Sequence, residues 1–179
     1  YAFYCEALMD LLAICKRENV PFCVRVGDVL DVFQGLCDSQ MIGSIFSHQE
    51  TGNDWTYKRD LRMKKWCNQM GIRWQECQQF AVFRPLKNRD GWSRRWAQLM
   101  NQALVSPALN HVFIALPSDD IPKPMSMGLG EDACSLRLRG GREQGLNLLH
   151  TFFEDRGCFY TTAMSSPNTA PTACSRLSP

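Results

Sequence analysis

Long apolar runs are missing from this sequence. None approaches the roughly 18 residues that a membrane-spanning helix needs, so no such helix is expected. The first residues, Tyr1-Ala2-Phe3-Tyr4-Cys5-Glu6, lack the basic segment and apolar stretch of a signal peptide. They read instead as a helix entered midway. No two cysteines have C-x-x-C spacing, and only three histidines occur, His48, His111 and His150, far apart in the chain. That argues against a local zinc site and against a disulfide framework. G-x-G-x-x-G, the phosphate-binding P-loop and H-E-x-x-H are all absent. Internal repeats and low-complexity tracts are missing as well.

What is present is ordinary for a folded protein. Of the 179 residues, 45% are hydrophobic, which excludes disorder throughout and allows one sizeable core, or one domain with part of another. Nine cysteines are scattered and odd in number, and are expected to be buried reduced thiols. Charge is uneven. Between Thr56 and Met100 there are eleven Lys and Arg against three Asp and Glu, a net +8, which leaves −6 for the rest. Such a segment fits a nucleic acid or phosphate partner, and equally a solvated helix face with ion pairs.

Hydrophobic spacing lays out the elements. Phe3, Ala7, Leu8, Leu11, Leu12 and Cys15 form a helical stripe that Asn19 and Pro21 end. Phe22–Val26 reads as a buried strand opening onto Gly27-Asp28, and residues 29–36 as a short helix. A second strand spans 41–46, followed by the polar loop 47–53. A basic helix covers 55–70, with Asp54 as N-cap and Gly71 as its terminating glycine. Ile72-Arg73-Trp74 begins a third strand and Phe80–Phe83 a fourth. Strands alternating with helices predict an α/β fold with a parallel sheet. Residues 90–102 are helical. The stretch from Val105 to Gly141 holds four prolines and reads as a long connection over a surface. From Arg142 the helical period returns, with Leu146, Leu149, Phe152 and Phe153 on one face and an end at Gly157.

Two places invite chemistry. Ser47-His48-Gln49-Glu50-Thr51-Gly52 follows a strand, the usual position of a ligand in an α/β sheet. His48 and Glu50 there suit acid–base work or a structural loop. Arg84, Arg89 and Asp90 suit a local ion pair. The chain ends on Ser175-Arg176-Leu177-Ser178-Pro179, with Thr169 and Thr172 upstream. Hydroxyls and free N–H groups at the mouth of a helix suit a phosphate, and an N-capped helix start uses the same residues. An anion site here lacks walls, so a piece of a larger phosphate- or cofactor-binding protein is expected.

The motifs then converge. Glu50-Thr51-Gly52, Arg59-Asp60, Trp66, Gly71-Ile72-Arg73-Trp74, Arg84-Pro85-Leu86 and Arg89-Asp90-Gly91-Trp92 follow one another in a fixed order. Later come Gly140-Gly141-Arg142, Phe153-Glu154-Asp155-Arg156, Tyr160, Met164-Ser165-Ser166-Pro167 and Cys174-Ser175-Arg176-Leu177-Ser178. In these segments the chain resembles the photolyase/cryptochrome family across nearly its whole length.

That resemblance implies an incomplete Rossmann-like antenna domain over residues 1–105, a linker over 106–139, and the first helices of an all-α FAD-binding domain over 140–179. It implies FAD as cofactor, with Tyr160 and Cys174, Ser175, Arg176, Leu177 and Ser178 contacting it. Cys174 departs from the threonine of many members, and a thiol is the weaker donor. A second antenna chromophore of folate or deazaflavin type is left open, because family members use different pigments and the stretch around Trp55 and Thr56 does not show the Asn-Glu pair of folate-binding members. The implied activity is that of a deoxyribodipyrimidine photo-lyase, blue-light repair of pyrimidine dimers in damaged DNA. The alternative is a cryptochrome photoreceptor without repair. No catalytic residue is expected within these 179 positions, and the tryptophans present are not the family's electron relay. By itself the chain is expected neither to hold FAD tightly nor to repair DNA, and its sheet is expected to expose edges. The complete protein is expected to be a monomer without membrane association, cytoplasmic or, in a eukaryote, nuclear. A rival reading from the residues alone is a light-independent nucleotide-binding α/β protein.

Overall fold

The computed structural model describes residues 1–78, 82–83, 88–130, 133–134, 137–166 and 168–169. They divide into two compact units, one built from residues 25–108 and the other from 1–24 together with 109–179. No helix among the described residues is long and apolar enough to cross a membrane.

The first unit is a β-α-β arrangement with an extra helix on each side. Helix α2 (Val29–Ser39) starts at Asp28, whose side chain accepts a hydrogen bond from Leu30 N at 2.9 Å. Strand β1 (Ser44–His48) leads into α3 (Asp54–Met70), and α3 returns the chain to β2 (Arg73–Cys77). The two strands pair in parallel, with Ser44 opposite Arg73 and His48 opposite Cys77. A parallel pair needs such a crossover, which is why a helix lies between them. Helix α4 (Trp92–Met100) follows.

The core of this unit is small. Met63, Cys67 and Ile72 are buried, and Val29, Leu30, Phe33, Cys37, Ile42, Ile45, Trp66 and Trp74 pack around them. Met63 and Cys67 stand one turn apart on α3, and Gly71 turns the chain with φ 69° so that Ile72 enters the same cluster. The left-handed turn suits a residue without a side chain.

The second unit holds α1 (Ala2–Arg17), α5 (Arg142–Glu154) and a short helical turn α6 (Tyr160–Ala163) reached through a 3-10 turn at Arg156–Phe159. Another 3-10 turn, Pro124–Met127, breaks an otherwise irregular stretch.

Several expectations change here. Residues 22–26 form no strand; Val24 instead meets residues 118 and 119, donating to Ser118 Oγ and accepting from Asp119 N. The N-cap of α3 is Asn53, which accepts from Thr56 N, and Asp54 is already helical. The apolar stripe of α1 is covered in part, at Phe3, Ala7, Leu8 and Cys15. Leu11 and Leu12 are exposed, whereas Glu6 and Asp10 are partly covered. On α5, Leu148, Leu149 and Phe152 are partly covered, while Leu146 and Phe153 are exposed. The expected fourth strand falls largely outside the described residues.

Candidate functional site

Just past the carboxyl ends of β1 and β2 lies a cleft of about 560 Å³. Its walls come from the loop after β1 (Gln49, Thr51, Asn53), from one face of α3 (Tyr57, Leu61, Lys64), and from Glu76 on β2. The loop is shaped by its own hydrogen bonds. Glu50 Oε1 accepts from Gly52 N at 2.8 Å, and a Cβ at Gly52 would approach that same oxygen to 2.9 Å. Asn53 then caps α3. Side chains at positions 57, 61 and 64 fall on one helix face, so a ring, an aliphatic chain and an ammonium line up beside the loop. This is the position at which open α/β sheets take ligands. Amides, carboxylates and one lysine around Tyr57 and Leu61 make it suited to a small polar ligand with a flat apolar part.

The sequence motif meets this cleft only in part. His48 and Glu50 share neither of the cavities beside the loop. His48 lines a smaller cavity of about 200 Å³ with Arg59, Asp60, Met63 and Trp74. The Glu50 carboxylate is turned into its own loop, 3.7 Å from Arg59. Arg59 is committed to Asp60, with Nε and Nη2 at 3.0 and 2.8 Å from Oδ1. Glu50, Arg59 and Asp60 form an ion cluster, and His48 and Glu50 are not brought together as an acid–base pair. Among the tryptophans, Trp66 donates to Gln34 and Trp74 to Ser47 at the core margin, while Trp55 is 70% exposed. Arg84 lies outside the described residues, and Asp90 uses its backbone, donating to Asn88 Oδ1 and accepting from Arg95.

Of the residues expected to contact a flavin, Tyr160 is described. It begins α6, and its ring forms a T-shaped pair with Phe152, centroids 5.8 Å apart and planes at 86°. It remains 37% exposed. Arg156 sits over Phe152 at 5.8 Å and donates to Leu148 O and Thr151 Oγ1, which fixes the turn before Tyr160. A ring braced on one side and open on the other fits contact with a flat aromatic ligand. Cys174, Ser175, Arg176, Leu177 and Ser178 lie outside the described residues.

One cluster was missed in the sequence. Glu6 receives both guanidinium nitrogens of Arg137, at 2.9 and 2.6 Å, and the backbone N–H of Gly140 at 2.9 Å. The Arg137 guanidinium, and then the Gly140 N–H, hold the Glu6 carboxyl down to about 2. One turn on, Asp10 accepts from Arg142 N at 2.7 Å. Two carboxylates at i and i+4 on α1 were the available hint; their partners lie more than 130 positions away.

Residues 1–95 match the family model described as DNA photolyase. No individual curated protein matches the chain. The matched span takes in α1, the β1-α3-β2 unit, the cleft and the start of α4. With more than half of its length inside that match, the chain belongs to the DNA photolyase/cryptochrome family.

Proposed function

We propose that this protein repairs pyrimidine dimers in DNA under blue light. The observation that carries the reading is the family match over residues 1–95, and the motif order from Gly140 to Ser178 extends it. Residues 1–105 then serve as the antenna domain, 106–139 as the connection, and 140–179 as the opening of the FAD-binding domain. Reduced FAD, when bound, supplies the photoexcited electron that splits the dimer. The part assigned to this chain is binding. Tyr160, braced by Phe152, offers an aromatic ring and a phenol to the cofactor. Cys174, Ser175, Arg176, Leu177 and Ser178 are assigned to the anionic part of FAD, where hydroxyls and free backbone N–H groups suit a diphosphate. The lesion is expected to leave the base stack to reach the cofactor.

The test is repair of a thymine-dimer oligonucleotide by the full-length, flavin-loaded protein, in blue light and in darkness. Dimer loss only in light is the expected outcome. A flavin-loaded protein that repairs nothing points to a photoreceptor or to another lesion. A full-length protein without flavin absorbance favours the light-independent nucleotide-binding reading.

A further inference from the structure

Helix α5 begins without a side-chain cap. Its N-cap position is Gly141, with φ 107°, which has no group to offer the free N–H donors of the first turn. The missing acceptors come from another helix. Asp10 of α1 takes the Arg142 N–H at 2.7 Å, and Glu6, one turn earlier, takes the Gly140 N–H at 2.9 Å. Glu6 also grips Arg137 with both oxygens, and the two side chains are only 32% and 29% exposed. Carboxylates at a helix N-terminus also complement its partial positive charge.

Contact between the two backbones is close. Gly140 is buried, and a Cβ there would fall 1.9 Å from the carbonyl oxygen of Phe3 and 2.9 Å from Ala7 N. A Cβ at Gly141 would touch Asp10 at 3.4 Å. The approach of this segment to α1 therefore requires glycine at 140, whereas Gly141 is favoured by its φ of 107°. The same arrangement explains why Glu6 and Asp10 are partly covered beside Phe3, Ala7 and Leu8 on α1.

From this anchor the helix runs to Phe152, which braces Tyr160, and Arg156 ties Leu148 and Thr151 to the turn between them. A helix of 13 residues is about 20 Å long and stiff, so fixing its first turn fixes the ring near its other end. We infer that Glu6 and Asp10 are positioning residues for the flavin site, clamping the start of α5 and thereby setting the place of Phe152 and Tyr160. This rests on the reading of Tyr160 as a flavin contact.

The test uses the full-length protein with Glu6→Ala, Asp10→Ala and the double variant, beside Glu6→Gln and Asp10→Asn, which keep an acceptor. Amide hydrogen exchange and FAD dissociation are both measured. The double variant is expected to speed exchange at the amides of 140–145 by about tenfold or more, leaving α3 unchanged. It is also expected to speed FAD release by about tenfold and to shift the bound-flavin absorbance. The Gln and Asn variants recover most of both effects. Unchanged exchange at 140–145 overturns the clamp. Faster exchange with unchanged FAD release and spectrum overturns the positioning role. If the wild-type protein holds no flavin, the functional reading and the positioning role fail together, and the exchange data still decide the clamp.

Discussion

At the scale of single residues, environment separated side chains that the sequence treated alike. The cysteines were expected to be buried thiols. None of the eight described ones is in a disulfide, and among them only Cys67 is buried, at 1% exposure. Burial pushes its thiol up, and the neighbouring Cys37 adds to that. A raised thiol carries less of the reactive thiolate. Alkylation near pH 8 is therefore expected at the exposed Cys77, Cys134 and Cys158 first, with Cys67 modified only on unfolding. Peptide mapping by mass spectrometry checks this, and equal rates at all four would contradict it. Cysteine spacing excluded shared sites, but it carries no information on depth, which depends on what packs over each thiol. The same holds for Glu6 and Asp10, whose spacing was visible and whose partners were not.

At the scale of elements, helices were legible and strands less so. Apolar period and terminal residues located α1, α3 and α5 within a few positions, because a helix satisfies its backbone within its own segment. The cap of α3 illustrates the limit. Asp54 and Asn53 both suit an N-cap, and the hydrogen bond from Thr56 N selects Asn53. Asn53→Ala is expected to cost about 1 kcal/mol and to lower the melting temperature of the protein by several degrees in a thermal scan. Asp54→Ala is expected to change little, because its pairing with Lys58 is exposed on both sides. Strands were harder because a strand needs a partner. Residues 44–48 and 73–77 found each other through the α3 crossover. Residues 22–26 had a strand-like composition, yet they meet an irregular segment near 118 instead.

At the scale of the molecule, the Glu6 ion pair sets an acid limit. The carboxyl has an ordinary value of 4.5 and is held to about 2 in the fold. Between those values the unfolded chain binds more protons than the folded one, so stability rises with pH there. The stabilisation is complete above about 4.5 and is lost as pH falls through 2. Asp28 adds the same sign in the other unit, its carboxyl lowered by the Arg62 hydrogen bond and then by Leu30 N. Denaturant midpoints between pH 5 and pH 2 are expected to fall more steeply for the wild-type protein than for Glu6→Gln. Parallel slopes would remove Glu6 from this role.

Family membership, the alternation of helices with parallel strands, and the loop after β1 were determined by local order along the chain. Period, caps and short motifs are one-dimensional and survive without coordinates. The cleft beside that loop, the separation of His48 from Glu50, and the clamp on α5 were decided only by tertiary structure. Each joins groups distant in sequence, and such pairings depend on how the elements pack together.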